Sequence, residues 1–272
     1  MRFTFVVYMA CITLLSDFGL QDASVATAKG IIMQQAPGIQ VVDISHLVEP
    51  YHLQQAAYLS SASYYNFPAG TCHILLFDIF SERSPTLVLC AYNDHYFLSP
   101  DNGLLPLALN IVPENVWKCL ELPAGTGLKD WLQETGRIAN ELQAKKPEAL
   151  GLTKCTLKNA PQHWRPRIEA NMAECHVIHI DRFENVVVNI TRDEFEKTRN
   201  GRTFRIAFMR DEEITAISEH YNNVREGEEL CRFNGTGYLE IAINRGKAAS
   251  LFGLKLNKEQ HLIYNTIKIF FE

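Results

Sequence analysis

No CxxC pair occurs in this chain, and its seven cysteines, Cys11, Cys72, Cys90, Cys119, Cys155, Cys175 and Cys231, are an odd number. Neither a disulfide framework nor a zinc ribbon is suggested, and the cysteine usage reads as that of a reducing, cytoplasmic protein. Also missing are a GxGxxG turn after a strand and a GxxxxGK[ST] loop, which removes the usual dinucleotide and P-loop solutions to phosphate binding. No run of Lys and Arg interleaves with aromatics. With a net charge of -5 and a pI near 6.0, the chain lacks the electrostatic grip that nucleic acid demands, so a small-molecule ligand is the better default. Long apolar runs are scarce too. Phe3 to Leu15, after Arg2, looks like a short signal peptide with Ala10-Cys11 as a crude cleavage site, but it is too short to span a bilayer, and no membrane partner is expected. Cleavage there would delete the β-rich run leading to Asp17, so the run reads as a first buried strand. Met9 begins a sensible chain by itself, which makes residues 1 to 8 an expected upstream-start artefact.

What is present is a globular composition, 47% hydrophobic and 21% charged over 272 residues, enough for one large core or two moderate ones. From Ile12 to about Ala160, apolar β-rich runs (12–16, 39–43, 71–78, 86–91, 95–98) alternate with helical patterns (22–36, 52–65, 103–111). That alternation predicts an N-terminal three-layer αβα domain with a mostly parallel sheet over residues 1–160. Lys145 to Pro166, rich in Lys and Pro, reads as the linker. Runs at 175–180, 185–190, 203–208, 238–243 and 261–271, separated by Asn, Gly and Glu turns, predict an all-β, barrel-like domain over 161–272. His176, His179 and Asp181 might suggest a metal, yet on a strand His179 and Asp181 share a face while His176 points away, so no metal site is expected.

The richest segment is ITLLSDFGLQDASVATAKGII, Ile12 to Ile32, in which an apolar strand delivers Asp17 onto a Phe18-Gly19 turn that opens a helix. Ligand sites of α/β sheets are built at such points; the plain alternative is that Asp17 caps the helix. Three later segments, SPDNGLL (Ser99 to Leu105), IDRFENVVVNI (Ile180 to Ile190) and NGTGYLEIAINRGKAA (Asn234 to Ala249), decide between them. With SDFGLQD they resemble, in order and across nearly the whole chain, the S-adenosyl-L-methionine hydroxide adenosyltransferases, relatives of the fluorinase and chlorinase enzymes. The resemblance implies an α/β domain followed by a β domain, and S-adenosylmethionine as ligand with no cofactor. It also implies a homotrimer with each site between the N-domain of one subunit and the C-domain of its neighbour. The implied reaction is an in-line displacement at the ribose C5′, in which water or hydroxide attacks and methionine leaves as a neutral thioether. A site that excludes bulk water favours neutralisation of the sulfonium, and these relatives orient the water with an Asp-Arg-His set.

By that resemblance Asp17 binds both ribose hydroxyls, a task suited to a carboxylate that accepts two hydrogen bonds at once. Tyr51, in VEPYHL, is the aromatic wall beside ribose and sulfonium, or else a core tyrosine. Asp181 and Asn185 grip the amino group and the rest of the methionine moiety, or else are turn residues; the position of Asp181 at the end of an apolar strand favours the first. Tyr221, in YNNVREGE, follows the family pattern loosely and is the candidate to stack on adenine. The loop Asn234 to Gly237 offers backbone N–H groups to the methionine carboxylate, with Gly235 and Thr236 where relatives place serines. The middle departs from the family. Its DPGVGTxR loop corresponds to Asp78-Ile79-Phe80-Ser81-Glu82-Arg83, two residues shorter and without proline or glycine, so the catalytic candidates Asp78 and Arg83 survive in type but not in spacing. The family histidine, in an FHGRD-like motif, falls at Gly127 in Thr126-Gly127-Leu128-Lys129-Asp130. His95 could replace it only if the fold brings it there.

Two functions are therefore in play. The favoured one is a hydrolase that forms adenosine from S-adenosylmethionine, with Asp78 and Arg83 managing the water. The other is a catalytically impaired binder of S-adenosylmethionine or adenosine. The small-residue and tyrosine signatures of halide-using relatives are not evident.

Overall fold

A computed structural model describes residues 10–121, 127–158, 165–207, 213–256 and 266–272, so the expectations for residues 1 to 8 and for Thr126 lie outside the described residues. The chain divides into two compact units, Met1–Ala160 and Pro161–Glu272.

In the first unit ITLLS is buried at every residue, which an extended segment achieves only inside a sheet covered on both faces. This is β1 (Ile12–Ser16), followed by α1 (Ser24–Gln35), β2 (Val41–Ser45), α2 (Leu53–Tyr64), β3 (Cys72–Leu76), β4 (Thr86–Tyr92), β5 (His95–Pro100), α3 (Leu104–Leu109), β6 (Val116–Glu121), α4 (Leu128–Glu141) and β7 (Thr153–Lys154). The sheet order is β2-β1-β3-β5-β4-β6-β7. From β2 to β5 the pairings are parallel; from β5 to β7 they are antiparallel. The sheet is thus mixed, because Asn93 and Asp94, both at positive φ (48° and 61°), make the tight turn that folds β4 and β5 into a hairpin.

Ile12, Leu14, Ile74 and Leu76 on one face join Ile32 of α1 and Trp131 and Leu132 of α4 in a single core. Helix α4 and strand β6 were not expected, although WLxxTGxIA repeats at helical spacing and buries Trp131, Leu132, Thr135, Gly136, Ile138 and Ala139. Gly136 is required there, since a Cβ would meet Gln35 Cβ at 2.7 Å and Ile32 Cα at 3.3 Å. Within the expected linker, Thr153–Lys154 instead adds an edge strand to β6, leaving the described part of the connection as Cys155 to Lys158 and residues 165 and 166.

The other face carries α2 and a buried polar chain. Thr13 Oγ1 lies 2.7 Å from His73 Nδ1, and His73 Nε2 lies 3.1 Å from His95 Nδ1. His73 also stacks on Phe97 at 4.9 Å. Burial first, and the neighbouring His95 second, push His73 down to about 3; burial lowers His95 despite Asp94. An unfolded histidine titrates near 6.5, so between about pH 6.5 and 3 the unfolded chain binds more protons than the folded one, and stability falls as pH falls. His73 alone is expected to cost about 2 kcal/mol between about pH 6.5 and 5, at ~1.4 kcal/mol per pH unit. Urea melts across that range should show this slope, and His73→Phe should flatten it; an equal slope in the variant would refute the assignment.

The second unit comprises β8 (Arg167–Glu169), β9 (Met172–Ile180), β10 (Val186–Thr191), α5 (Arg192–Arg199), β11 (Phe204–Ala207), β12 (Glu213–Ile214), β13 (Glu229–Phe233), β14 (Tyr238–Ile243), α6 (Ala248–Leu251) and β15 (Thr266–Phe271). Its antiparallel sheet runs β12-β11-β15-β9-β10-β14-β13, with β8 on β9. Ile217, just past β12, bridges Cys231 of β13 and nearly closes the barrel. Helix α5 is an unexpected insertion with a readable start: Thr191 and Glu194 form a reciprocal capping box. It drives the fully buried Phe195 among Phe204, Phe233 and Phe271, with ring centroids 5.0–5.5 Å apart.

Candidate active site

Strand β1 has β2 on one side and β3 on the other, so the chain reverses its direction of travel across the sheet between β1 and β3. Such a switch point leaves a crevice at the carboxyl ends of the strands. Asp17 immediately follows β1, and Asp78 lies two residues beyond β3. The structure brings these two together: Asp17 Oδ2 accepts the Asp78 backbone N–H at 3.1 Å. Asp17 therefore does not cap α1, whose N-cap is Ala23.

Burial raises the Asp17 carboxyl, opposed by the Asp78 N–H and its own, and burial together with the Asp17 charge raises Asp78. Two like charges in a partly desolvated crevice resist joint ionisation. Asp78 sits at φ 45°, a left-handed conformation uncommon outside glycine. Its strand end is pinned from behind, since Asn102 Nδ2 donates to the Phe77 carbonyl at 3.0 Å while Asn102 Oδ1 accepts the Leu104 N–H at 3.2 Å. Asn102 was not singled out, although it lies within the SPDNGLL segment.

Tyr51 is no core residue: it is 76% exposed and held at φ 64° in the turn between β2 and α2. Arg83 is exposed and, among the described residues, bonds to neither Asp17 nor Asp78. Neighbouring Glu82 instead pairs with Lys158. Gly127 starts α4, where its N–H donates to Asp130 Oδ2 at 3.2 Å. His95 is a buried strand histidine at the opposite end of the parallel sheet from Asp17, so it does not stand in for the family histidine.

In the second unit, Asp181 is satisfied within the β9–β10 turn. Its Oδ1 accepts the Phe183 and Asn185 N–H groups, each at 2.9 Å, and its Oδ2 accepts Asn185 Nδ2 at 3.0 Å. Near it the adenine candidate Tyr221 joins two residues not anticipated from sequence: Tyr221 Oη donates to Glu240 Oε1 at 2.7 Å, and the Arg232 guanidinium stacks over the Tyr221 ring at 4.7 Å. Burial raises Glu240, with the Asp181 charge adding to it, and burial and Glu240 push Tyr221 up to about 12. Gly235 and Thr236 sit apart from these residues, in the turn before β14 at the end of the β10–β14 pairing where Thr191 faces Tyr238. There the Thr236 N–H and hydroxyl both bond Asn234 Oδ1. Among the described residues no group of His, Cys, Asp and Glu could hold a metal ion.

An acidic switch-point crevice in an α/β unit, joined to a near-closed β-barrel unit, defines a small-molecule site protein. Residues 12–132 match the N-terminal domain model of the SAM hydroxide adenosyltransferases and residues 175–260 the C-terminal domain model, and the chain belongs to that family. It is 28% identical to the (R)-S-adenosyl-L-methionine hydrolase of Thermus thermophilus, over 89% of this chain and 94% of that one. To the (R)-S-adenosyl-L-methionine hydrolase of Salinispora tropica it is 27% identical over the same shares. An uncharacterized conserved protein from Thermotoga maritima superposes with a TM-score of 0.77 at 25% identity, covering 95% of this chain and 99% of that one.

Proposed function

We propose that the chain hydrolyses S-adenosylmethionine to adenosine and methionine. The pairing of Asp17 with Asp78 at the switch point supports this most directly. Asp17 accepts the ribose hydroxyls. Water attacks C5′, the C5′–S bond breaks with its electron pair remaining on sulfur, and Asp78 takes the proton. A carboxylate raised by burial and a neighbouring charge is a better base than an exposed one, which suits Asp78 to that step. Arg83 stabilises developing hydroxide character once its segment closes on the ligand. Asp181, Asn185, Gly235 and Thr236 serve the methionine moiety and Tyr221 the adenine. The exposure of Arg83 and the glycine at position 127 keep the silent-binder reading alive as the second one.

The same reading makes the protein a cytoplasmic homotrimer, each site drawing on the first unit of one subunit and the second unit of a neighbour. Leu20, Leu47, Tyr51 and Phe80, all more than half exposed, follow β1, β2 and β3 at the crevice end of the sheet, where a partner would cover them. Incubation with S-adenosylmethionine should release adenosine and methionine in equal amounts, resolved chromatographically, and light scattering should give the mass of three chains. Ligand-dependent thermal stabilisation without product would instead establish the binder.

A further inference from the structure

We infer that His46 is a positioning residue that fixes the Asp17 loop in its ligand-binding pose. The inference rests on the ribose role proposed for Asp17.

Asp17 occupies a turn whose two flanks are both tied to His46. On one side, Ser16 Oγ lies 2.7 Å from His46 Nδ1. On the other, the Gly19 N–H donates to the His46 carbonyl at 2.8 Å. Ser16 Oγ also accepts the Phe18 N–H at 3.4 Å, so one hydroxyl links the imidazole to the backbone on the far side of Asp17. The register of β1 on β2 shifts between Leu14 and Leu15, and such a shift re-aims the side chains that follow it. Behind the imidazole, Nε2 lies 3.1 Å from Asp43 Oδ1, and Lys29 holds Asp43 at 2.8 Å. The carboxylate favours the proton on Nε2, leaving the Nδ1 lone pair to accept from the Ser16 hydroxyl.

Serine, histidine and aspartate in sequence suggest a nucleophilic triad, but Ser16 is completely buried and committed to Phe18 and His46. A nucleophile must reach its substrate; this hydroxyl reaches only backbone and imidazole. The chain Asp43–His46–Ser16 therefore acts on Asp17, the residue of the turn whose carboxylate accepts the Asp78 N–H.

The test uses the full chain and two probes, adenosine and 2′,3′-dideoxyadenosine, titrated calorimetrically at matched folded fraction. The wild-type protein should prefer adenosine, and Asp17→Ala should abolish the preference. His46→Ala should reduce it at least tenfold while leaving affinity for the dideoxy probe within threefold. A merely structural histidine would weaken both probes alike. Asparagine places an amide where Nδ1 lies and glutamine one where Nε2 lies, so His46→Asn should keep the preference within threefold and His46→Gln should lose it. That pair decides the matter even where the alanine variant folds poorly. Retention of the preference in His46→Ala or His46→Gln, with Asp17→Ala losing it, overturns this inference alone. Retention in Asp17→Ala, or no preference in the wild-type protein, overturns the ribose role and this inference with it.

Discussion

Asp17→Ala is expected to weaken adenosine binding by about 2–4 kcal/mol, roughly 30- to 700-fold in Kd, while changing the stability of the free protein by no more than about 1 kcal/mol. The asymmetry follows from what the carboxylate does in each state. In the bound state its loss leaves two ribose hydroxyls without a charged acceptor in a desolvated crevice. In the free state it accepts a bond from the Asp78 N–H at 3.1 Å, is eased by its own backbone N–H, and sits against another carboxylate. Removing it loses that bond and relieves the repulsion, two effects of opposite sign. The pH dependence carries the same signature. Both carboxyls are raised in the folded protein, so their contribution to stability is fully present below the unfolded carboxylate range and is lost as pH rises through their folded values. The variant should therefore lose less stability than the wild-type protein between pH 4 and 7 in chemical denaturation. Unchanged adenosine affinity, measured by calorimetry, would return Asp17 to a purely structural role.

Much of this arrangement was legible in the chain because it depends on local pattern. ITLLS followed by Asp-Phe-Gly announces a buried strand ending in a tight turn, and the strand boundaries at 12–16 fall where the sequence predicts them. Residues 39–43 shift to 41–45 because Gly38 and its neighbours keep the chain in a turn for longer. The features beyond that pattern are of two kinds. The helices α4 and α5 carry local signals, an apolar stripe around Trp131 and a capping box at Thr191, set among segments dominated by β-branched runs. The braces on Asp17 and Asp78 had none. His46 reaches Ser16 across 30 residues and Asn102 reaches Phe77 across 25, and no periodicity encodes a contact that only the strand order creates. The same limit explains Tyr221, whose hydroxyl is drawn to Glu240 on β14, a partner 19 residues away.

Asp78→Asn and Arg83→Ala are each expected to lower kcat at least a hundredfold while leaving the affinity for S-adenosylmethionine within about threefold, the range seen when one general base or one oxyanion-stabilising group is removed. Both groups act on the attacking water, whose charge changes only as the C5′–O bond forms, so the loss belongs to the transition state and not to the ground-state complex. The two variants probe different links. Asparagine keeps the shape of Asp78, and its backbone N–H continues to serve Asp17, so a fall in rate isolates the proton-accepting function. Arg83 starts from an exposed segment, so its removal should leave the free protein's stability unchanged, and an effect on rate with unchanged affinity assigns its side chain to the reacting water. Gly127→His completes the argument. Among the described residues a Cβ there meets only Asp130 Oδ2, at 3.9 Å, and the backbone φ of -92° suits any residue, so these neighbours admit the substitution. If the start of α4 lies where relatives carry their histidine, the rate should rise. Should Asp78→Asn and Arg83→Ala both leave an existing activity untouched, other residues handle the water; steady-state kinetics paired with calorimetric affinities separates these outcomes.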